Sequence, residues 1–329
     1  MEKKCKELNL AELCEYLKSH DDYILLTHIS PDGDTLGSAY ALALGLISKG
    51  KRAFVVCNDE IPHKYDYIAR AAALKSFDYK TIISVDVADA KLLGSLYEKY
   101  SDKIELNIDH HISNTRYAKN LYLDETASAT AECIYDVLTE LNVEFTTLIA
   151  NALYTGIATD TGCFKYSNVT PKTHLIAAEL YKYGIDAAEI NRIMFDTKSK
   201  NRIELEKMVL ETAEFLFDER VLLLTVTTEM QEKSGCEQSD LEGVAVISRS
   251  VEGVLCGVSI KQTDPDVYKV SLRTYPPLDA SYICGMLGGG GHKAAAGCTL
   301  EGSLKDVKEQ IIAAVGKAFY EYDTRAITD

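Results

Sequence analysis

The chain has 329 residues, a length that predicts about two domains. Its hydrophobic fraction of 47%, its charged fraction of 26% and its six prolines exclude collagen-like, coiled-coil and largely disordered proteins. The chain carries 35 Lys and Arg against 50 Asp and Glu, and the resulting net charge of −15 disfavours binding to long nucleic acids.

Nine cysteines are spread along the chain without any CxxC pair. This spacing predicts reduced thiols of a cytoplasmic protein, and neither a disulfide framework nor a zinc site. Residues 1–22 carry charges where a secretory signal needs an apolar run, and the most apolar long stretch, Thr35 to Ile47, is too short to span a bilayer. We therefore expect a soluble cytoplasmic protein without a membrane segment.

Short apolar runs alternate with helical patterns in the first half of the chain, which predicts a parallel β-sheet built from β-α units. The predicted strands are Tyr23–Thr27, Ala53–Cys57, Thr81–Val85 and Ile104–Ile108. The predicted helices are Leu36–Ser48, Ala88–Tyr97, Ala127–Leu141, Thr146–Thr159 and Thr173–Lys182. We therefore predict an α/β protein whose N-terminal parallel-sheet domain covers residues 1–190.

A charged helical pattern over residues 191–211 predicts a linker, and residues 212–329 are predicted to form a smaller α+β domain. The second domain is predicted to contain two strand pairs, the first turning at Asp218–Arg220 and the second around residues 263–266. A glycine-rich loop and a helix from Leu304 to Tyr320 are predicted to follow. We expect the active site to lie in the cleft between the two domains.

Unusual polar clusters follow the predicted strands, at the edge where parallel sheets collect their chemistry. These residues are His28, Asp32 and Asp34 after the first strand, Asp86 at the end of the third, and Asp109, His110 and His111 after the fourth. Asp160 lies in a run of small residues that lets the backbone approach a ligand. Imidazole and carboxylate together suit Mn²⁺ or Mg²⁺, and the convergence of the clusters favours a two-metal site. Taken alone, the first cluster could equally be a turn that caps a helix, and the histidine pair a solvated loop.

These motifs resemble those of the DHH phosphoesterases, a family named for the Asp-His-His triplet found here at residues 109–111. The segments HISPDGDTLGS, SVDVAD, DHHISN and TGIATDTG are similar to the four motifs of that family, in the same order. The C-terminal GGGGH resembles that of the DHH-associated domain. The resemblance implies two divalent ions, with Mn²⁺ favoured and Mg²⁺ or Co²⁺ as alternatives.

The resemblance also implies which residues hold these ions and what the others do. The implied ligands are His28, Asp32 and Asp86 for one ion, and Asp34, Asp86, His110 and Asp160 for the other. Asp86 is then the bridge, Asp109 orients His110, and His111 faces the phosphate or the leaving oxygen. Hydroxide held between the two ions would attack phosphorus in line.

Candidate phosphate contacts lie mainly in the second domain. Successive glycines expose backbone N–H groups that can bind an anion, although a flexible turn explains the same run equally well. The candidate substrate-binding residues are Gly289, Gly290, Gly291, His292, Arg273 and Arg116. For Arg116, a solvated surface position is the favoured alternative.

Two-domain members of the DHH family are implied to degrade short oligoribonucleotides and to remove the 3′-phosphate of 3′-phosphoadenosine 5′-phosphate. The motifs leave open a phosphodiesterase acting on cyclic di-AMP or on a linear dinucleotide. A manganese inorganic pyrophosphatase is disfavoured because the basic segment of its second domain is not found, and a purely binding protein is disfavoured because no ligand is missing. The motifs do not distinguish a monomer from a homodimer, and they do not set the polarity of degradation.

Overall fold

The computed structural model describes residues 5–236 and 244–326. It contains two compact units, the first ending at Thr197 and the second beginning at Lys198. This boundary lies inside the segment 191–211, for which the sequence predicts a helical linker. The segment consists of a π-helical turn, Arg192–Asp196, and a separate helix, Lys200–Leu210.

The first unit is built on a six-stranded sheet in which all neighbouring strands are parallel. Its strands are β1 (Lys6–Glu7), β2 (Tyr23–Leu26), β3 (Ala53–Val56), β4 (Thr81–Val85), β5 (Leu106–Asp109) and β6 (Asn120–Leu123). Their order across the sheet is β1-β6-β5-β4-β2-β3. The four predicted strands are confirmed as β2 to β5. The strands β1 and β6 were not predicted, because β1 has only two residues, both exposed, and β6, which begins with an asparagine, is buried only at Leu121 and Tyr122.

Helices cover this sheet and begin or end at several of the predicted metal ligands. They are α1 (Leu10–Ser19), α2 (Gly33–Ser48), α3 (Asp66–Ala72), α4 (Tyr97–Tyr100), α5 (Thr130–Glu140), α6 (Thr147–Asp160), α7 (Pro171–Leu180) and α8 (Ala187–Asn191). The prediction of one helix over 88–97 is wrong. A 3₁₀ helix, Ala90–Leu96, occupies that segment, and Gly94 interrupts it with a φ of 61°.

The helix α2 is buried along most of its length because it packs against α5, α6 and the sheet. Close contact with α6 requires glycine: a Cβ on Gly37 would lie only 3.0 Å from the backbone nitrogen of Gly156. An apolar helix of this kind is typical of a core position. Because the start of α2 is buried, the positions of two residues are fixed: Asp32, which caps the helix, and Asp34, which lies in its first turn.

The second unit contains a mixed sheet of six strands. Its strands are β7 (Glu214–Leu216), β8 (Val221–Val226), β9 (Cys256–Asp264), β10 (Val267–Thr274), β11 (Gly290–His292) and β12 (Ala295–Glu301), in the order β11-β12-β10-β9-β8-β7. Only the pair β8–β9 is parallel among these. Its helices are α9 (Lys200–Leu210), α10 (Thr228–Ser234), α11 (Val244–Ile247), α12 (Ala280–Gly285) and α13 (Leu304–Ala326).

The predicted fold class is confirmed, with a parallel sheet in the first unit and a separate mixed sheet in the second. Both predicted strand pairs are present as β7–β8 and β9–β10. The glycine-rich segment differs from the predicted loop, because Gly290–His292 forms an edge strand hydrogen-bonded to β12. All nine cysteines are free thiols, as predicted. Over the described ranges, no helix combines the length and the apolar character needed to cross a membrane.

Candidate metal centre

The predicted ligands converge where β4 and β5 end and α2 begins. They form two groups that could each hold a metal ion: His28, Asp32 and Asp86 in one, and Asp34, His110 and Asp160 in the other. A third group, Asp86, His110 and His111, overlaps both. In each group the candidate ligand atoms lie within 4.8 Å of one another. The structure therefore brings together all six residues that the sequence nominates as ligands.

Asp86 lies between the two groups. Its Oδ2 is 3.7 Å from Nε2 of His28, and its Oδ1 is 3.9 Å from Nε2 of His110. The residue follows β4 directly and has a φ of 60°, which is unusual for a residue other than glycine. Its backbone N–H donates to the carbonyl of Ile108 at 2.9 Å, and Thr130 Oγ1 donates to its Oδ1 at 2.8 Å. These contacts hold a strained backbone at a functional position.

Backbone carbonyls hold the rings of His28 and His110 in place. Nδ1 of His28 donates to the carbonyl of Ile29 at 2.7 Å, and Nδ1 of His110 donates to the carbonyl of Ala127 at 3.1 Å. A carbonyl only accepts, so each Nδ1 carries a hydrogen, and each ring directs its Nε2 towards the carboxylates, where a deprotonated Nε2 could bind a cation.

The Nε2 atom of His110 provides a test of whether a metal ion fits. It is buried and has no hydrogen-bond partner among residues 5–236 and 244–326. Buried polar nitrogens are normally satisfied, and this one lies 3.6 Å from Asp160 Oδ2 and 4.0 Å from Asp34 Oδ2. A cation coordinated by these atoms would satisfy the nitrogen and neutralise the carboxylates. The residues present therefore fit a divalent metal.

Asp34 is positioned by the start of α5. Its Oδ2 accepts from the Thr130 N–H at 2.7 Å, and its Oδ1 accepts from the Ala131 N–H at 2.9 Å. A carboxylate is favourable at a helix N-terminus, where backbone N–H groups lack partners. On the α6 side, a Cβ on Gly156 would lie 2.9 Å from Asp34 Oδ1. Gly156, in the run of small residues that precedes Asp160, therefore leaves space for the carboxylate of Asp34.

Asp109 contacts the ring of His111 and not that of His110. Its Oδ1 accepts from the His111 Nδ1 at 2.7 Å and from the His110 backbone N–H at 2.9 Å. The ring of His110 is held by Ala127 instead, which differs from the expectation that Asp109 orients it. Asn114, absent from the predicted site, donates to Asp109 Oδ2 at 2.6 Å and to Asn107 Oδ1 at 2.7 Å. Its place in the motif DHHISN was the only sequence signal for it.

Crowding of carboxylates changes the titration of the centre. Burial, together with the charges of Asp86 and Asp32, outweighs the opposing effect of His110 and raises the pKa of Asp160 to about 6. Burial also raises the pKa of Asp34 well above its ordinary value, together with the neighbouring aspartates. Burial opposes protonation of His28, but Asp32 and Asp86 outweigh it and raise its pKa to about 11. Without cations, His28, Asp34 and Asp160 therefore keep their protons to a higher pH than the same groups do in water.

We expect the metal-free protein to lose stability as pH rises from about 4 to about 6. The folded state holds a proton on Asp160 up to about pH 6, whereas the unfolded state releases it near 3.8, so unfolding becomes more favourable across this window. Asp160→Asn should remove this step and raise the melting temperature at pH 7 by about 2–4 °C, the shift that about 1 kcal/mol produces. Differential scanning calorimetry in the presence of a chelator measures both the pH dependence of the wild-type stability and the melting temperature of the variant.

The control for this prediction is the same titration with Mn²⁺ added. Divalent cations should stabilise the wild-type chain increasingly as pH rises, because protons and metal compete for the ligands. A metal-free melting temperature for Asp160→Asn below that of the wild type at pH 7 would contradict the electrostatic interpretation.

In the second unit, the strand register aligns two of the predicted phosphate contacts. Arg273 of β10 pairs with Ala295 of β12, and Ala295 pairs with His292 of β11. Directly paired residues point to the same face of a sheet, so the arginine and the histidine share a face with a small residue between them. Arg273 Nη1 donates to the carbonyl of Leu272 at 3.0 Å, and His292 is exposed.

The glycines of GGGGH differ from one another in their surroundings. A Cβ on Gly289 would lie 2.8 Å from Cα of Cys298, and one on Gly291 would lie 2.6 Å from Cα of Ala296, so both positions contact β12 closely. A Cβ on Gly290 would meet no heavy atom within 4 Å. Arg116, the predicted contact in the first unit, forms an ion pair with Glu7.

Comparisons with known proteins agree with this architecture. Residues 23–157 match the N-terminal domain of the DHH family, and residues 218–321 match the DHHA1 domain. The chain is 35% identical over 312 residues to the bifunctional oligoribonuclease and PAP phosphatase NrnA of Thermus thermophilus, covering 92% of each chain. It is 26% identical over 295 residues to the protein of the same name from Bacillus subtilis, covering 88% of this chain and 92% of the relative.

A solved structure shares the fold over nearly the whole chain. It is an exopolyphosphatase-related protein from Bacteroides fragilis, with a TM-score of 0.84 and 23% sequence identity, covering 94% of this chain and 95% of the other. Both domain matches occur in chain order, and the Thermus relative aligns with nearly all of the sequence. The chain therefore belongs to the DHH family and is a phosphoesterase.

Proposed function

We propose that this chain hydrolyses phosphoester bonds in short oligoribonucleotides and in 3′-phosphoadenosine 5′-phosphate, using two divalent ions, preferably Mn²⁺. The substrate assignment is supported by the relatives that carry the name oligoribonuclease and PAP phosphatase. The metal assignment is supported by the ligand groups of the first unit.

One observation carries the two-ion assignment: the two carboxylate oxygens of Asp86 face different histidines, at 3.7 and 3.9 Å. A carboxylate placed in this way could be shared by two cations. The proposed ligands are His28, Asp32 and Asp86 for one ion, and Asp34, Asp86, His110 and Asp160 for the other. Their four carboxylates balance the charge of two divalent cations. The two imidazoles favour Mn²⁺ over Mg²⁺, which prefers oxygen ligands and bound water.

When bound, two such ions activate a water nucleophile and neutralise the oxygens of the reacting phosphate. The chain itself supplies a proton donor. Nδ1 of His111 is engaged by Asp109 at 2.7 Å, so this nitrogen does not serve as a metal ligand, and Nε2 is left for the substrate. In the chain without cations, burial lowers the pKa of His111, but Asp109 and Asp86 outweigh burial and raise it to about 9, and the hydrogen bond to Asp109 favours the protonated ring whether or not cations neutralise Asp86. The protonated ring can then give a proton to the leaving oxygen.

The second unit is proposed to bind the phosphate at the other end of the substrate. Arg273 and His292 share one face of the sheet, and a guanidinium can bind phosphate with two parallel hydrogen bonds. Space for a ligand remains beside Gly290, since a Cβ there would meet no heavy atom within 4 Å. This division assigns the chemistry to the first unit and part of the substrate binding to the second.

The charge of the chain favours a short substrate. A net charge of −15 opposes the counterion-release binding that holds long nucleic acids. The favourable contacts proposed here are local: the metal ions at one phosphate and a few cationic or N–H donors at another. Such a site suits molecules of two to a few nucleotides.

A panel of substrates tests this proposal. The purified chain with Mn²⁺ should hydrolyse a diribonucleotide and 3′-phosphoadenosine 5′-phosphate with kcat/KM at least about tenfold above the values for cyclic di-AMP and pyrophosphate, a difference of about 1.4 kcal/mol. Faster hydrolysis of cyclic di-AMP would make the chain a cyclic-dinucleotide phosphodiesterase. Faster hydrolysis of pyrophosphate would make it a pyrophosphatase.

Variants of the second unit provide the control in the same assay. Arg273→Ala and His292→Ala should keep the metal content and lose about 10- to 100-fold in kcat/KM on nucleotides, the effect of losing a charge-assisted contact. Bis-p-nitrophenyl phosphate, which has no second phosphate to bind, should be affected much less. Equal losses on both kinds of substrate would remove the phosphate-binding role from these residues.

A further inference from the structure

Five consecutive residues, 127–131, hold several of the proposed metal ligands and are named here the support segment. Its hydrogen-bonding groups are the carbonyl of Ala127, the hydroxyl of Thr130, and the backbone N–H groups of Thr130 and Ala131. The ligands that they contact, at 2.7 to 3.1 Å, are His110, Asp86 and Asp34. The positions of these three ligands therefore depend on the position of the support segment.

The helix α5 begins within the support segment without a capping side chain. Its N-cap residue, Ala129, has an extended backbone and a methyl group that cannot accept a hydrogen bond. Serine, threonine, asparagine or aspartate at an N-cap would accept from an N–H of the first turn. The start of α5 is fixed instead by contacts from other residues, one of which is Asp34 at the metal centre.

A second contact at the start of α5 comes from Glu132, which is fully buried in the first turn of the helix. Its Oε1 accepts from Oγ of Ser128 at 2.5 Å. In a capping box, the glutamate lies three residues after the N-cap and accepts from the N-cap N–H. Here the spacing is four residues and the donor is a hydroxyl. Glu132 therefore ties the residue before the N-cap to the first turn of α5.

Ser128 also connects the support segment to a fourth proposed ligand. Its hydroxyl accepts from Oγ1 of Thr173 on α7 at 3.2 Å. Its carbonyl accepts from Nδ2 of Asn168 at 2.9 Å, and the same nitrogen donates to the carbonyl of Asp160 at 3.2 Å. The contact between Glu132 and Ser128 thus lies where α5, α7 and the end of α6 are joined.

The second carboxyl oxygen of Glu132 has no hydrogen-bond partner in the described parts of the chain, 5–236 and 244–326. A buried polar oxygen without a partner costs free energy, and an apolar side chain of similar volume would avoid that cost. Choices that cost stability are expected where function requires them. The carboxyl of Glu132 is therefore not explained by the stability of the fold.

We propose that Glu132 is a positioning residue of the metal centre, acting through Ser128 on the support segment and on the ligands that it holds. This inference rests on the proposed function, which assigns two cations to those ligands. Metal–ligand distances have a tolerance of about 0.2 Å, so a small shift of the support segment weakens metal binding. Removing a group that orients ligands typically lowers metal affinity by about 10- to 100-fold.

Titration calorimetry with Mn²⁺ on the full chain tests this role, together with melting temperatures in the presence of a chelator. The double variant Glu132→Met/Ser128→Ala removes both partners of the hydrogen bond, so its metal-free melting temperature should stay within about 4 °C of the wild type. Its mean Kd for Mn²⁺ should rise about 10- to 100-fold. Ser128→Ala alone should raise the Kd as much as the double variant does, because either change breaks the same contact.

Two further variants separate positioning from charge and from stability. Glu132→Gln keeps an oxygen that accepts from Ser128, so its Kd for Mn²⁺ should stay within about threefold of the wild type. Ile134→Val is the matched control for stability, because Ile134 is fully buried in the same helix. It should lower the metal-free melting temperature and leave the Kd unchanged.

An unchanged Kd in the double variant would overturn the positioning role and leave the two-ion centre standing. An equal rise in Glu132→Gln would also overturn it, since the charge and not the hydrogen bond would then carry the effect. An equal rise in Ile134→Val would reduce the effect to general stability. A wild-type chain that binds no Mn²⁺ would refute the proposed centre and this role with it. If no substrate of the panel is hydrolysed but the Kd depends on Glu132 as described, the positioning role stands and the proposed activity fails.

Discussion

Asp86→Asn should lower kcat/KM on a diribonucleotide by at least about 100-fold, which corresponds to about 2.7 kcal/mol of transition-state stabilisation. Asparagine keeps the shape of the side chain and tolerates the left-handed backbone, but it removes the negative charge that both proposed ions share. Metal analysis of the variant should show less than the two Mn²⁺ per chain expected for the wild type. Steady-state kinetics at saturating Mn²⁺ measure the loss in rate.

The chain offers a closely matched control in Asp22. Both aspartates are buried, with 4% exposure for Asp22 and 3% for Asp86, and both have left-handed backbone, with φ values of 56° and 60°. Asp22 precedes β2, at the opposite end of the sheet, and forms ion pairs with Arg52 and Lys80. Asp22→Asn should therefore lower stability and keep metal and activity. If Asp86→Asn retains more than about a tenth of the wild-type turnover, the bridging role is wrong.

His111→Gln should lower kcat on 3′-phosphoadenosine 5′-phosphate by about 10²- to 10⁴-fold, the range for loss of a general acid. The leaving group of this substrate is a ribose hydroxyl, which departs slowly without a proton. Bis-p-nitrophenyl phosphate releases a phenolate that is stable without one, so its hydrolysis should fall far less. Comparing the two substrates therefore separates proton donation from general damage to the site.

Metal content and Asp109 provide the checks on this interpretation. His111→Gln should bind as much Mn²⁺ as the wild type, because Asp109 already engages the Nδ1 atom of His111. Asp109→Asn should remove the charge that holds the ring and should reduce the rate on the nucleotide more than that on the model ester. An equal loss on both substrates, together with lost Mn²⁺, would identify His111 as a metal ligand.

The buried carboxylates that are proposed to bind metal destabilise the folded chain when no cation is present. Asp34 and Asp160 have raised pKa values because burial and neighbouring carboxylates disfavour their ionised forms. Part of this cost is offset by the start of α5, which directs two N–H groups to Asp34. The rest would be relieved by cations. A phosphoesterase that depends on divalent metal is therefore expected to be least stable when stripped of it at neutral or higher pH.

The sequence by itself determined the central strands and the candidate ligands. The strands β2, β3 and β4 are mostly apolar runs of four or five residues, and such runs are recognisable because both faces of a parallel sheet are buried. Residues that directly follow parallel strands lie at the same edge of the sheet, whatever the loops and helices between the strands. This topological rule predicts from the sequence alone that His28, Asp86 and His110 lie in one site.

Tertiary structure alone decided which groups those residues contact. Asp34 accepts from Thr130, 96 positions away, and the ring of His110 is fixed by Ala127. Neither contact leaves a periodic signal, since a backbone N–H or carbonyl is available at almost every residue. Sequence patterns report local periodicity and burial, whereas hydrogen-bond partners and ring orientations are set by the packing of distant segments.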